Sequence, residues 1–192
     1  PDAGTMQLYA CICGRQWHDR TTTKETILII RAAITKDAQA IADIWNPVIR
    51  NSVTTFTNVE KSTSELQNLI LGRNRLNYGF YVAEISGIVL GFATYGPFRN
   101  GSGYAHTMEH SIFMAPDAKR KGIGKALMER LEKHAKSAGL HSLIAGLSSE
   151  NSGGITFHAN LGYAQVANIK QAGFKFDRWH DLVLMQKLLL IK

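Results

Sequence analysis

Residues 111–127 constrain the fold of this chain more than any other stretch. An apolar, strand-like run, Ser111-Ile112-Phe113-Met114, leads through Ala115-Pro116-Asp117-Ala118 into Lys119-Arg120-Lys121-Gly122-Ile123-Gly124-Lys125. An amphipathic helix carrying Leu127, Met128 and Leu131 follows. Strand, basic glycine loop and helix in that order make a cradle for phosphate. Gly122 and Gly124 let the backbone approach an anion and turn successive N–H groups toward it. The helix start adds unsatisfied donors and the positive end of its dipole. Lys119, Arg120, Lys121 and Lys125 supply further positive charge. The competing reading is a solvated basic start to an ordinary helix. Two common phosphate motifs do not fit. A Walker loop requires Gly-Lys-Ser/Thr, but Ala126 follows Gly124-Lys125, and Lys119 stands where the first glycine belongs. The dinucleotide fingerprint requires a third glycine where the chain has Leu127.

The chain is long enough, at 192 residues, for one domain with a substantial core and short for two. Its apolar fraction of 45% and charged fraction of 19% are those of a folded globular protein. No apolar run has the length of a membrane span, so no membrane partner is expected. A net charge of +7 suits an acidic ligand. Outside 119–125 the positive charge is dispersed and no nucleic-acid-reading motif is present, so no nucleic-acid partner is expected. Cys11 and Cys13 are the two cysteines, too close for an unstrained disulfide. With His18 they lack a fourth ligand and the usual zinc spacing, so no metal is expected. Low cysteine usage fits a reducing, cytoplasmic setting. Residues 1–26 lack a sustained hydrophobic period and read as an N-terminal extension, with Met6 a candidate natural start. Residues 27–192 form the domain.

Within that domain, Ile27–Arg31 reads as a strand. A helix follows from Thr35-Lys36-Asp37, with Ile41, Ile44, Trp45, Val48 and Ile49 on one face. A second helix covers 62–71, and a hairpin joins 80–84 to 88–95 around Ser86-Gly87. A loop over 96–103, a strand over 105–114 and a helix to Ser137 come next. A strand at 143–147, a helix at 152–161, and strands near 163–169 and 181–189 complete the order. The class is mixed α/β (α+β), with a largely antiparallel mixed sheet flanked by helices.

The Lys-x-x-Gly-x-Gly pattern of 119–124 resembles the pyrophosphate loop of the GNAT acetyltransferases, which hold acetyl-CoA. That family prefers Gln or Arg where Lys119 stands. Further segments carry the resemblance to the branch of phosphinothricin, methionine sulfoximine and methionine sulfone N-acetyltransferases, over about residues 28–190. They are Thr107-Met108-Glu109-His110-Ser111, Ser149-Glu150-Asn151-Ser152, 157–163 (FHANLGY), Gly96-Pro97-Phe98-Arg99 and 174–181 (FKFDRWHD). The resemblance implies the GNAT fold, whose splayed central strands admit the pantetheine arm. It implies acetyl transfer from acetyl-CoA to the α-amine of a small amino-acid-like acceptor. An α-amine titrates near ~8, so a base must take its proton. Glu109 is the candidate base, and His158 the candidate group near the leaving thiol.

The backbone of Ile112, Phe113 and Met114 is expected to pair with the pantetheine arm and, near Phe113, to supply an oxyanion donor. The loop from Lys119 to Lys125 takes the pyrophosphate, with Ile123 at the helix start. Asn151 is expected both to cap the helix it opens and to lie beside the arm. Arg73 and Arg99 match acceptor-binding arginines, suited to anions by their two-pronged geometry, and Phe56 matches an aromatic wall. His110, His141 and His180 read as structural or solvent-facing. Arg178 and Asp181 read as a pair stabilising the last strand beside a packed Trp179. In the family the C-terminal region also helps build a homodimer. Two alternatives stay open: a GNAT enzyme acting on protein N-termini, lysines or polyamines, and a non-catalytic acyl-CoA-binding module.

Overall fold

The computed structural model describes residues 27–118 and 121–189. The N-terminal extension with Cys11 and Cys13 lies outside the described residues, as do Lys119 and Arg120 of the basic loop. Seven strands run β1 Leu28–Ala32, β2 Phe80–Ile85, β3 Ile88–Pro97, β4 Thr107–Met114, β5 Ser142–Ser148, β6 Ala164–Lys175 and β7 Arg178–Leu188. The α-helices are α1 Ala38–Asn51, α2 Thr63–Arg75, α3 Ile123–Ser137 and α4 Ser152–Asn160. The strands form one sheet in the order β1-β2-β3-β4-β5-β7-β6. Every neighbouring pair is antiparallel except β4 and β5.

Local chemistry sets the element boundaries. Ser62 accepts the Glu65 N–H, and Glu65 accepts the Ser62 N–H in return, a capping box that starts α2. Asp37 takes both Nη groups of Arg31 and the N–H of Ile34, tying β1 to the start of α1. Helices α1 and α2 cover one face of the sheet through Ile41, Ile44, Leu66 and Ile70, packed on Phe80, Val82 and Phe92. Helix α3 covers the other with Leu127, Met128 and Leu131 against Tyr81, Tyr95, Leu143 and Ala145. Burying each such side chain is worth about 1.5–3 kcal/mol.

The β4–β5 ladder covers only Thr107–His110 against Ser142–Ala145, although both strands continue past it. The centre of the sheet therefore splays, as the resemblance implies. The C-terminal expectation needs correction. The chain does not loop between 169 and 181. Strand β6 continues to Lys175 and turns back through Phe176 and Asp177, whose φ values of 52° and 57° build a two-residue hairpin turn. No Asn-Gly or Asp-Gly dipeptide announces that turn. The expected Arg178–Asp181 pair also fails: Arg178 binds Glu150, Asp181 binds Lys170, and Trp179 is exposed, edge-on to Phe174.

Candidate active site

Beyond His110, β4 is paired to β3 on one side only, so the β5-facing main chain of Ser111–Met114 has no strand partner there. A linear, amide-bearing arm fits such an edge as an added strand would. The same strand leads into the glycine loop. Gly122 has φ +75°, a left-handed conformation in which a side chain is strained, and no atom of the described residues lies near the place its Cβ would take. Helix α3 begins there, and among the described residues no side chain caps its first N–H groups. Lys121 and Lys125 are exposed beside it, Lys125 within 3.8 Å of Glu129. Phe157, in the second half of α4, packs against the site of Gly124, 3.4 Å from where a Cβ there would stand. Uncapped donors, an open left-handed glycine and a half-paired strand suit the pyrophosphate and amide arm of coenzyme A. A free helix start attracts anions.

Alternation along β4 divides the remaining residues between the two faces. Met108, Ile112 and Met114 face α3, whereas Phe113 packs with Trp45 of α1, their ring centroids 5.1 Å apart. Glu109 lies on the α1–α2 face. A Cβ on Gly146 of β5 would stand 2.7 Å from the Glu109 Oε1, so the missing side chain makes room for the carboxylate. Solvent reaches the Glu109 side chain, yet burial of its carboxyl among protein atoms pushes its pKa above the usual carboxylate range. Opposite Glu109 in the β3–β4 register stands Gly96, where a Cβ would overlap the guanidinium of Arg73. Arg73 is held there from α2, near the Tyr78 ring at 5.7 Å. Its Nε is buried and, among the described residues, has no hydrogen-bond partner, and no carboxylate pairs with the side chain. Burial lowers its pKa, as expected of a cation without an anion.

Phe56, in the connection between α1 and α2, also belongs to this face. It stacks on His180 with centroids 5.7 Å apart and planes at 19°. His180 lies two residues from Leu182, which borders the same Gly146 gap. Arg99 sits apart, exposed in the loop after β3 with its guanidinium over Phe98.

His158 occupies the opposite face. Its Nδ1 lies 2.7 Å from the carbonyl of Gly154, and its Nε2 lies 3.0 Å from Nε2 of His110. Both rings are buried against Tyr163. Burial holds both histidines below the ordinary imidazole range, with each neutral. For two neutral rings these contacts fit one arrangement: His158 donates from Nδ1 to Gly154, and His110 donates from Nε2 to His158, leaving the buried Nδ1 of His110 without a partner among the described residues. His158 thus has both nitrogens engaged and does not share a face with Glu109. Asn151 caps α4 by accepting the Gly154 N–H at 2.9 Å.

Reading residues alone missed Gly96 and Gly146 as the spacers that seat Arg73 and Glu109. A glycine inside an apolar strand was the available sign of a close approach. His110 takes the structural of its two open readings: it is buried and paired with His158, a partner the residues alone do not reveal. His180 is likewise buried, against Phe56 and Glu150, whereas His141 is exposed. Among the described residues no group of three or more His, Cys, Asp or Glu side chains could hold a metal ion.

Known proteins share this architecture. Residues 30–184 match the acetyltransferase (GNAT) domain. The L-amino acid N-acyltransferase MnaT of Escherichia coli K12 is 36% identical over 160 residues, covering 82% of this chain and 91% of that protein. The L-methionine sulfoximine/L-methionine sulfone acetyltransferase of Salmonella typhimurium is 34% identical over 159 residues, covering 83% and 93%. The crystal structure of a phosphinothricin acetyltransferase from Sinorhizobium meliloti in complex with AcCoA superposes with a TM-score of 0.80 at 31% identity, covering 84% of this chain and 88% of that one. With the splayed sheet, the glycine-led α3 and this breadth of match, the chain belongs to the GNAT family of acetyltransferases.

Proposed function

We propose that this enzyme transfers the acetyl group of acetyl-CoA to the α-amine of a small, carboxylate-bearing amino-acid-like acceptor. Methionine sulfoximine, methionine sulfone and phosphinothricin represent the acceptor class. The observation that carries this reading is Arg73: a half-buried guanidinium without an anionic partner among the described residues, fixed over Gly96 on the face that also presents Glu109. A bidentate carboxylate meets the need of such a cation. The relatives named for sulfoximine, sulfone and phosphinothricin support the acceptor class.

In this reading Glu109 takes the proton of the acceptor ammonium, directly or through one water. Its raised pKa brings it closer to the amine's and improves it as a base near neutrality. The amine nitrogen then bonds to the acetyl carbon, the carbon–sulfur bond breaks, and the electron pair leaves on sulfur. The free main chain near Phe113 offers the donor for the carbonyl oxygen, and Gly122, Ile123, Gly124 and the basic residues 119–121 and 125 hold the pyrophosphate. Asn151 and His158 act from the α4 side. His158, with both nitrogens engaged, orients the start of that helix beside the splay. Arg99, exposed in the loop after β3, draws in the anionic acceptor by its charge, and Phe56 walls the α1–α2 face.

The reading extends to a homodimer, supported by the exposed Phe174, Phe176 and Trp179 on the β6–β7 hairpin, and to the cytoplasm, where acetyl-CoA is available. The test is acetyl-CoA-dependent thiol release with phosphinothricin, methionine sulfoximine, methionine sulfone, ordinary amino acids, polyamines and N-terminal peptides. Turnover concentrated on the first three is the expected result. Activity confined to peptides or polyamines would overturn the acceptor assignment, and acetyl-CoA binding without turnover on any of them would point to an acyl-CoA sensor.

A further inference from the structure

Lys175 is the most deeply buried charged side chain described, at 1% exposure, and among the described residues no carboxylate pairs with it. An ammonium stripped of water without a counter-ion is costly and survives only where its hydrogens are well used. Here the Nζ donates to the carbonyl of Ile49 at 2.7 Å and to that of Thr55 at 2.8 Å. The first is one of the last carbonyls of α1, which the helix itself cannot satisfy. The second immediately precedes Phe56. A side chain from β6 therefore closes the end of α1 and fixes the main chain that carries the proposed aromatic wall.

The surroundings of Lys175 converge on the same ring. Phe56 lies over Gly173, two residues before Lys175, where a Cβ would overlap the phenyl ring. On the next strand Phe56 stacks with His180. That imidazole is itself held at both nitrogens: Nε2 is 3.0 Å from the Lys175 carbonyl, and Nδ1 is 2.7 Å from Oε1 of Glu150. Arg178 grips both oxygens of Glu150, at 2.8 and 2.7 Å. At the far end of the connection Asn46 exchanges two hydrogen bonds with the backbone of Lys61. The loop is thus tied at the α1–α2 end by Asn46 and beside the site by Lys175.

We infer that Lys175 is a positioning residue for acceptor recognition, setting the height and tilt of Phe56 over the α1–α2 face through the carbonyls of Ile49 and Thr55. The inference rests on the reading of Phe56 as part of the acceptor wall. Lys175 touches neither substrate. It acts through the loop, so it governs acceptor affinity and selectivity while leaving the cosubstrate side of the splay alone.

The test is steady-state kinetics with methionine sulfone and phosphinothricin on Lys175→Met, Lys175→Arg, Gly173→Ala, Phe56→Ala and the Lys175→Met/Phe56→Ala pair. Lys175→Met is expected to raise acceptor KM about tenfold or more and to change the ratio of the two acceptors' kcat/KM. The KM for acetyl-CoA is expected to stay within about twofold, and Lys175→Arg, which keeps charge and donors, to recover most of the loss. Because both residues act through one ring, the pair is expected to lose little more than Phe56→Ala alone. A folded Lys175→Met enzyme with unchanged acceptor KM, while Phe56→Ala raises it, would overturn the inference and leave the reading of Phe56 standing. An unchanged acceptor KM in Phe56→Ala would overturn both. If Lys175→Met does not fold, Gly173→Ala displaces the ring from the sheet side, and an unaltered acceptor KM there overturns the inference.

Discussion

At the scale of single residues, Glu109 pits catalysis against stability. Its folded pKa is raised by burial, so the folded state binds the proton more tightly than the unfolded chain does. Its contribution to stability is therefore full below the ordinary carboxylate range and is lost as pH rises through the raised value. Glu109→Gln escapes that loss. The variant is expected to melt higher than wild type at pH 7 and to match it near about pH 3, while turnover falls by about 10²–10⁴-fold. Thermal melts at the two pH values and kcat at neutrality check both halves. The histidines run the other way. His110 and His158 have lowered folded pKa values, so their contribution is present above the ordinary imidazole range near ~6.5 and is lost as pH falls from there toward the lowered values, about 3 for His110. Stability of the wild type is expected to fall from about pH 6.5 downward toward about pH 3, and less steeply in His110→Leu, which has one imidazole fewer to charge. Urea melts across that interval measure the slope.

Among the elements, the start of α3 carries the heaviest demand. A valine at Gly122 must adopt φ +75° and stand where an anion would approach the first N–H groups. Acetyl-CoA at a hundred times its Kd stabilises the wild type by about 2.7 kcal/mol through binding alone. Gly122→Val is expected to lose that ligand-induced rise in Tm while folding unaided, and a full rise in the variant would move the pyrophosphate elsewhere. This element was legible in advance because its chemistry is local: glycines, a basic run and helical periodicity sit within a few turns. The β6–β7 hairpin was not. Phe176 and Asp177 take left-handed conformations without the usual Asn-Gly pair, so the turn was hidden and the strands were read too short. The fate of Arg178 was equally hidden, since its partner Glu150 lies on another element, at the end of β5.

For the molecule as a whole, the splay of the sheet is what the resemblance to the GNAT fold implies, whereas the strand order, with β7 between β5 and β6, is seen only in the pairing. So is the division of labour between its faces. Glu109 and His158 lie near one cleft in sequence logic, yet strand alternation sends Glu109 toward α1–α2 and His110 toward α4. Only three-dimensional pairing shows that His158 goes with His110. Arg73 became meaningful in the same way, when α2 was seen to lay it on Gly96 beside Glu109. The account depends most on that guanidinium awaiting a carboxylate. Its most direct test compares kcat/KM for methionine sulfone and for its carboxamide, in wild type and in Arg73→Met. Wild type is expected to favour the free acid by about 10–100-fold, the worth of a charged hydrogen-bonded pair, and Arg73→Met to lose that preference while still acetylating the amide. An undiminished preference for the acid in Arg73→Met would contradict the assignment and put the acceptor carboxylate on another residue.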